Sequence, residues 1–311
     1  MTEKSSVSKT KGTPVVVDMA APGAERIVGN PMLEVIATDI TFGEGPVWDA
    51  RNKQLFFTDI CGDTIWKWKP GAGQEVVMRP SAHANGMALD LENRLVVAGW
   101  AGRTIFRFEK DGSIKTLASR YQGKKLNSPN DIVVRADGSL YFTDSPGGLV
   151  NVGMVGDDLQ KYLDIQGVFR ISPDGELSLT TADFFYPNGL CFSPDESLLY
   201  VNDSKEKLIR VYDMKPDGSV GPGRLFHRYT GTERGVPDGI KVDIEGNVYC
   251  TGPGGAIYIH DKNDGKILAR LKMPGHPTNF GWGDDDWRTL YVTMLGSVVR
   301  LRLNIPGVPS R

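Results

Sequence analysis

Short apolar runs recur along this chain in a fixed register. EGPVW from Glu44, NGMAL from Asn85, NDIVV from Asn130, NGLCF from Asn188, DGIKV from Asp238 and NFGWG from Asn279 each have the length and apolar content of a strand. Ten or eleven residues after each of these anchors a second apolar run begins, at Leu55, Leu95, Leu140, Leu199, Val248 and Leu290. The connections, such as DARNKQ, RADGS, SPDES and DIEGN, carry the Asp, Asn, Gly and Pro of tight reversals, so each pair reads as a hairpin. A third run follows in every repeat, from Thr64, Thr104, Gly167, Leu208, Ala256 and Ser297, alternating apolar with polar residues as a more exposed strand would. The first five repeats then supply a fourth strand. The sixth does not, and LEVIA from Leu33, ahead of the first anchor, is left to complete it.

Anchor spacings of 41, 45, 58, 50 and 41 residues match four-stranded propeller blades. The pattern predicts an all-β, six-bladed β-propeller whose ring is closed by an N-terminal strand, leaving no open edge between the first and last blades. Residues 31–311 are expected to form a single domain, because the repeat is unbroken. Residues 1–30 are polar and punctuated by Gly and Pro, and read as a flexible arm.

Composition narrows the function. Thirty-six basic residues against 38 acidic give a net charge of −2 with neither sign clustered, which points away from nucleic acid and membrane surfaces. No apolar stretch approaches the roughly 20 residues of a membrane span. Cys61, Cys191 and Cys250 have no paired metal spacing and are odd in number, so they read as free thiols in a reducing, cytoplasmic setting.

The anchors carry the candidate chemistry. In a propeller the first strand of each blade lines the central channel, so Glu44, Asn85, Asn130, Asn188, Asp238 and Asn279 should ring one mouth. A set of carboxylates and amides without thiolate or imidazole suits a hard divalent cation. Calcium fits best, with zinc, magnesium, manganese and ferrous iron as alternatives. Any one Asn before Gly could instead serve only its turn. Gly45, Gly86, Gly189 and Gly239 follow four of the anchors, and their lack of a Cβ would let backbone approach whatever occupies the axis. His83 and His276, shortly before their anchors, could reach the mouth or lie on the surface. Asp59, Asp144 and Asp203, at the end of three second strands, are expected to bind neighbouring backbone.

EGPVWDARNKQLFFTDI at 44–60, LNSPNDIVVRADGSLYFTD at 126–144, PNGLCFSPDESLLYVNDS at 187–204 and PDGIKVDIEGNVYCTG at 237–252 resemble the gluconolactonase, regucalcin (senescence marker protein) and luciferin-regenerating-enzyme family over about residues 33–303. The resemblance implies a lactonase. It places metal ligands at Glu44, Asn188 and Asp238, with Asp238 also the base, and sets Asn130 beside the metal and substrate. Asn127, Asn85, Asn279 and His83 are further substrate-binding candidates. Regucalcin-like members carry Arg two residues before the Asn130 position, where this chain has Ser128; LNSPND instead resembles the bacterial gluconolactonase branch. That branch commonly has Pro-Pro-Tyr-Gly where SPGG follows Asp144, so the pocket wall should differ. The expected substrate is a small lactone, such as a sugar aldonolactone. Other readings are an activated ester or phosphoester hydrolase at the same site, a non-catalytic calcium-binding propeller, or a metal-free propeller like strictosidine synthase, against which Glu44 and Asp238 count. The longest irregular segment, 144–166, is expected to cover the metal-side mouth with Leu149, Val152 and Met154 as its apolar face, so that its deletion would change substrate preference more than stability.

Overall fold

The computed structural model describes residues 12–19 and 21–310. Six antiparallel sheets follow one another in chain order and form a six-bladed propeller. Blade one runs Gly43–Asp49, Gln54–Asp59, Thr64–Lys69, Gly73–Met78; its innermost strand is buried at every position and its outermost is largely exposed. The other inner strands are Met87–Leu89, Ser128–Val134, Pro187–Phe192, Ile240–Val242 and Pro277–Gly283. Blade six lacks a fourth strand of its own after Gly296–Arg302, and Met32–Ile40 pairs there antiparallel, with Val35 opposite Val299. The ring closes as the missing strand requires.

Each blade exposes apolar side chains on both faces, and neither face can be buried within the blade. The apolar clusters accordingly lie at the six junctions between neighbours. At the closing junction Trp48 of blade one stacks on Tyr291 of blade six, ring centroids 5.2 Å apart. Burial of this kind, at about 25 cal/mol per Å2 of apolar surface, is what holds blades that share no backbone ladder.

Part of the segment expected to be a free arm is built into the ring. Thr13–Pro14 pairs with the outer strand of blade six, and Val16–Met19 pairs with Ile267–Lys272 of blade five. A short helix, Glu25–Val28, buries Ile27 and Val28 in the junction of those same blades. The arm therefore covers two outer sheet edges that would otherwise present unpaired backbone. Residues 1–11 of the expected arm lie outside the described residues.

Candidate active site

The six anchors converge unequally. A cavity of about 340 Å3 opens at one mouth of the channel, and Glu44, Asn85, Asn130, Asn188 and Asp238 line it together. Asn279 lies one layer beneath: its Nδ2 donates to Glu44 Oε2 at 3.0 Å, joining blade six to blade one. The same Oε2 accepts from Gly45 N at 2.9 Å. Asn188 hydrogen-bonds Asp238 and also donates to Ser204 Oγ at 3.0 Å. Asn85 Oδ1 is buried without a hydrogen-bond partner among the described residues.

The glycines after the anchors have a different task from the expected one. A Cβ on Gly45 would stand 2.3 Å from Asn85 O, one on Gly86 2.6 Å from Asn130 O, one on Gly189 2.2 Å from Asp238 O, and one on Gly239 2.3 Å from Asn279 Oδ1. Each glycine admits the anchor of the next blade, so it sets the diameter of the ring and does not face the axis. Second-strand side chains then fix the height of the anchors. Thr58 Oγ1 donates to Asn85 O at 3.0 Å, Thr143 Oγ1 to Asn188 O at 2.7 Å, and Asn202 Nδ2 to Asp238 O.

Asp59, Asp144 and Asp203 bind backbone as expected. Asp59 accepts from Thr41 N, Phe42 N and Gly62 N, each at 2.9 Å, and Asp203 from Phe185 N at 2.7 Å and Lys205 N at 2.8 Å. Asp144 Oδ2 accepts from Asn127 N at 2.8 Å. Asn127, expected to bind substrate, is fully buried, absent from the cavity wall, and donates to Ile165 O at 2.7 Å, so it anchors the long segment. His83 is also absent from the wall. Its left-handed backbone (φ +54°) turns the ring to Ile60 O at 2.6 Å, while His276 lines the cavity.

The segment 144–166 folds over this mouth. It opens with a short helix, Gly147–Val150, and contributes Asn151 and Met154 to the cavity wall. Trp100 Nε1 donates to Met154 O at 2.9 Å and Asn151 Nδ2 to Tyr186 OH at 3.0 Å, pinning it to blades two and four. Leu149 is buried, but Val152 is 96% exposed and forms no part of the apolar face expected of it. The two departures from the family pattern prove to be one feature: Ser128 Oγ accepts from Gly148 N at 2.8 Å, so serine at 128 holds the SPGG turn.

Ile60, Trp100 and Ser204, all on the wall, each follow the last residue of a second strand. The repeat register carried that signal, and Phe42 and Val236, each two residues before an anchor, carry a comparable one, while Lys205 has none.

Electrostatically the site is a pair of carboxylates, Glu44 buried and Asp238 half-buried with a face open to the cavity. Burial, and then the charge of Asp238, raise the Glu44 carboxyl well above its usual range, against the pull of Gly45 N and the Asn279 amide. Burial and the charge of Asp131 push Asp238 up to about 7, with Asn188 and Lys241 opposing. Two such groups facing one cavity with an unpartnered amide oxygen fit a divalent cation, which would neutralise both. No three His, Cys, Asp or Glu side chains among the described residues cluster as a metal site, so amide oxygens have to complete the donor set.

Residues 42–296 match the SMP-30/gluconolactonase/LRE-like region. The gluconolactonase of Zymomonas mobilis subsp. mobilis is 35% identical over 297 residues, covering 88% of this chain and 82% of that protein. The 6-deoxy-6-sulfogluconolactonase of Pseudomonas putida is 25% identical, covering 88% of this chain and 95% of its own length. Among solved structures, a gluconolactonase of Xanthomonas campestris superposes with a TM-score of 0.84 at 31% identity, covering 94% of this chain and 97% of that one. With the propeller, the anchor ring and these relatives in agreement, the chain belongs to the SMP-30/gluconolactonase/LRE-like family.

Proposed function

We propose that this protein is a lactonase that opens a small lactone, of the sugar aldonolactone class, by attack of water in the 340 Å3 cavity. The observation that carries the reading is the convergence of Glu44, Asn188 and Asp238 with Asn85 and Asn130 on that one cavity. Its gluconolactonase and sulfogluconolactonase relatives support the substrate class.

Glu44, Asn188 and Asp238 would hold a divalent cation, and their all-oxygen donors suit calcium best. When bound, the cation supplies Lewis acidity that polarises the lactone carbonyl and stabilises the oxyanion. The chain's own residues do the rest. Asp238, half-buried with a face open to the cavity, takes a proton from the attacking water as its oxygen bonds to the carbonyl carbon. When the ring C–O bond breaks, the same carboxyl returns that proton to the departing alkoxide. Asn130 and Asn85 present amides to the carbonyl and ring hydroxyls. Trp100, Tyr186 and Met154 wall the cavity and restrict bulk water. Burial raises the Tyr186 phenol to about 12, so it stays neutral and donates or accepts without titrating.

A lactone panel assayed before and after chelation tests the reading. Turnover of an aldonolactone should vanish with chelator and return with calcium; undiminished turnover after rigorous metal removal would overturn the metal assignment, and absence of lactone turnover in the metal-loaded protein would overturn the activity. Three free cysteines among the described residues are in keeping with a reducing, cytoplasmic setting. No helix among the described residues is long and apolar enough to cross a membrane.

A further inference from the structure

One cation lies inside the channel that the proposed chemistry leaves unused. Lys241, on the inner strand of blade five, places Nζ 3.3 Å from Asp131 Oδ2 on blade three and 3.5 Å from Asn279 Oδ1 on blade six. Blades three and five are not neighbours in the ring, so this contact crosses the channel. The Asp131 side chain is 3% exposed and that of Lys241 22%. Lys241 lines a second cavity, of about 150 Å3 at the opposite mouth, and is absent from the wall of the first. The pair thus sits beneath the candidate cation site, joined to it by Asn279, whose Nδ2 donates to Glu44.

We propose that the Lys241–Asp131 pair sets the charge of the cation site, cancelling internally so that Glu44 and Asp238 present two net negative charges and the site selects a divalent ion over a trivalent one. This rests on the metal reading given above. The physical argument is one of range. Charges enclosed by protein are poorly screened, so an uncompensated Asp131 would act on the ion as a third carboxylate. Its charge already raises both Glu44 and Asp238, and Lys241 opposes it at Asp238. Asn279 adds a geometric link: an ammonium can only donate, so Oδ1 must face Lys241 and Nδ2 must face Glu44. Glu44 Oε2 then holds two donors, leaving Oε1 for the ion.

The test is to measure Ca2+ and Tb3+ binding by titration calorimetry, with Tb3+ luminescence as a second readout, in the wild type and three variants whose fold is first checked by circular dichroism. Asp131→Asn leaves one net negative charge and should weaken Ca2+ binding about tenfold or more. Lys241→Met leaves three, and should raise the preference for Tb3+ over Ca2+ by about tenfold or more. Asp131→Asn with Lys241→Met restores two, and should return both the Ca2+ affinity and the ion preference to near wild type. A pair that is merely structural predicts instead that each single variant, with one charge left unpaired, weakens Ca2+ and Tb3+ binding together without changing the preference between them. If Lys241→Met does not fold, Asp131→Asn and the double variant still decide, because the charge reading requires Asp131→Asn to lose more affinity for Tb3+ than for Ca2+ and the double variant to restore the wild-type preference. An unchanged ion preference, or an impaired double variant, overturns the charge-setting role alone. A wild-type protein that binds neither ion overturns both this inference and the metal reading on which it rests.

Discussion

Trp100 Nε1 donates to Met154 O at 2.9 Å, so a side chain of blade two holds the backbone of a segment inserted into blade three. The bond fixes one wall of the cavity, since both residues line it. Trp100→Phe keeps an aromatic ring but removes the donor and the part of the buried indole that packs against Gly147. KM for the lactone should rise severalfold with kcat little changed, and stability should fall by more than about 1 kcal/mol, the net worth of such a bond, because lost packing adds to it. Steady-state kinetics and denaturant titration measure both.

Gly147→Ala should be far more damaging. A Cβ there would meet Tyr186 OH at 2.0 Å and Trp100 Cη2 at 2.2 Å, both inside the cavity wall. The segment would have to lift away from the mouth. Activity should fall by an order of magnitude or more, accompanied by increased proteolysis within 147–165; a variant with native kinetics would show that the segment's seating does not matter to turnover.

Excising the segment, for example replacing 149–163 with a short Gly-Ser linker, should now cost stability as well as selectivity. Leu163 packs in the junction of blades two and three, and Arg103 donates to Asp158 O at 3.2 Å and Gln160 O at 3.0 Å. We expect a loss of several kcal/mol, since burying a side chain such as Leu163 is worth about 2–5 kcal/mol on truncation. A melting temperature within a degree of the wild type would contradict this.

Asp238→Asn conserves shape and removes the proposed base and one of the two charges. Turnover should fall by at least ~100-fold, the low end of general-base contributions. The metal-free variant should melt no lower than the metal-free wild type at pH 8, because burial and the charge of Asp131 already work against this carboxylate. A calorimetric scan with chelator reads this directly.

Stability and cation binding should both depend on pH, in opposite directions. The folded Asp238 carboxyl is pushed up to about 7 and that of Asp144 likewise, each chiefly by burial. A carboxyl raised above its unfolded value of about 3.9 gives stability that is complete at low pH and lost as pH rises through about 7. With chelator present, the melting temperature should therefore decline between pH 5 and pH 8. Calcium binding needs both site carboxylates ionised, so the stabilisation it gives should grow over that same window. Equal calcium-induced shifts at pH 5 and pH 8 would count against two protonated carboxyls in the free site.

The sequence by itself determined the propeller, its six blades, its closure by residues near Leu33, and the ring of anchors. These follow from local causes: strand alternation, turn residues and a repeat period are written in consecutive residues. It also foresaw that Asp59, Asp144 and Asp203 serve backbone, since Asp at a strand end finds its partners nearby. Only the tertiary structure decided the rest. It separated Asn279, beneath the site, from Asn85, on its wall; it removed Asn127 and His83 from the cavity and placed His276 there; and it built residues 13–19 into two blade edges. Those outcomes depend on contacts between residues far apart in sequence, such as Glu44 with Asn279 or Lys241 with Asp131, which are 235 and 110 positions apart. Register along a strand can say that six side chains share a level. Which of them reach the cavity is fixed by how closely each blade approaches the next, and that is a property of the closed ring.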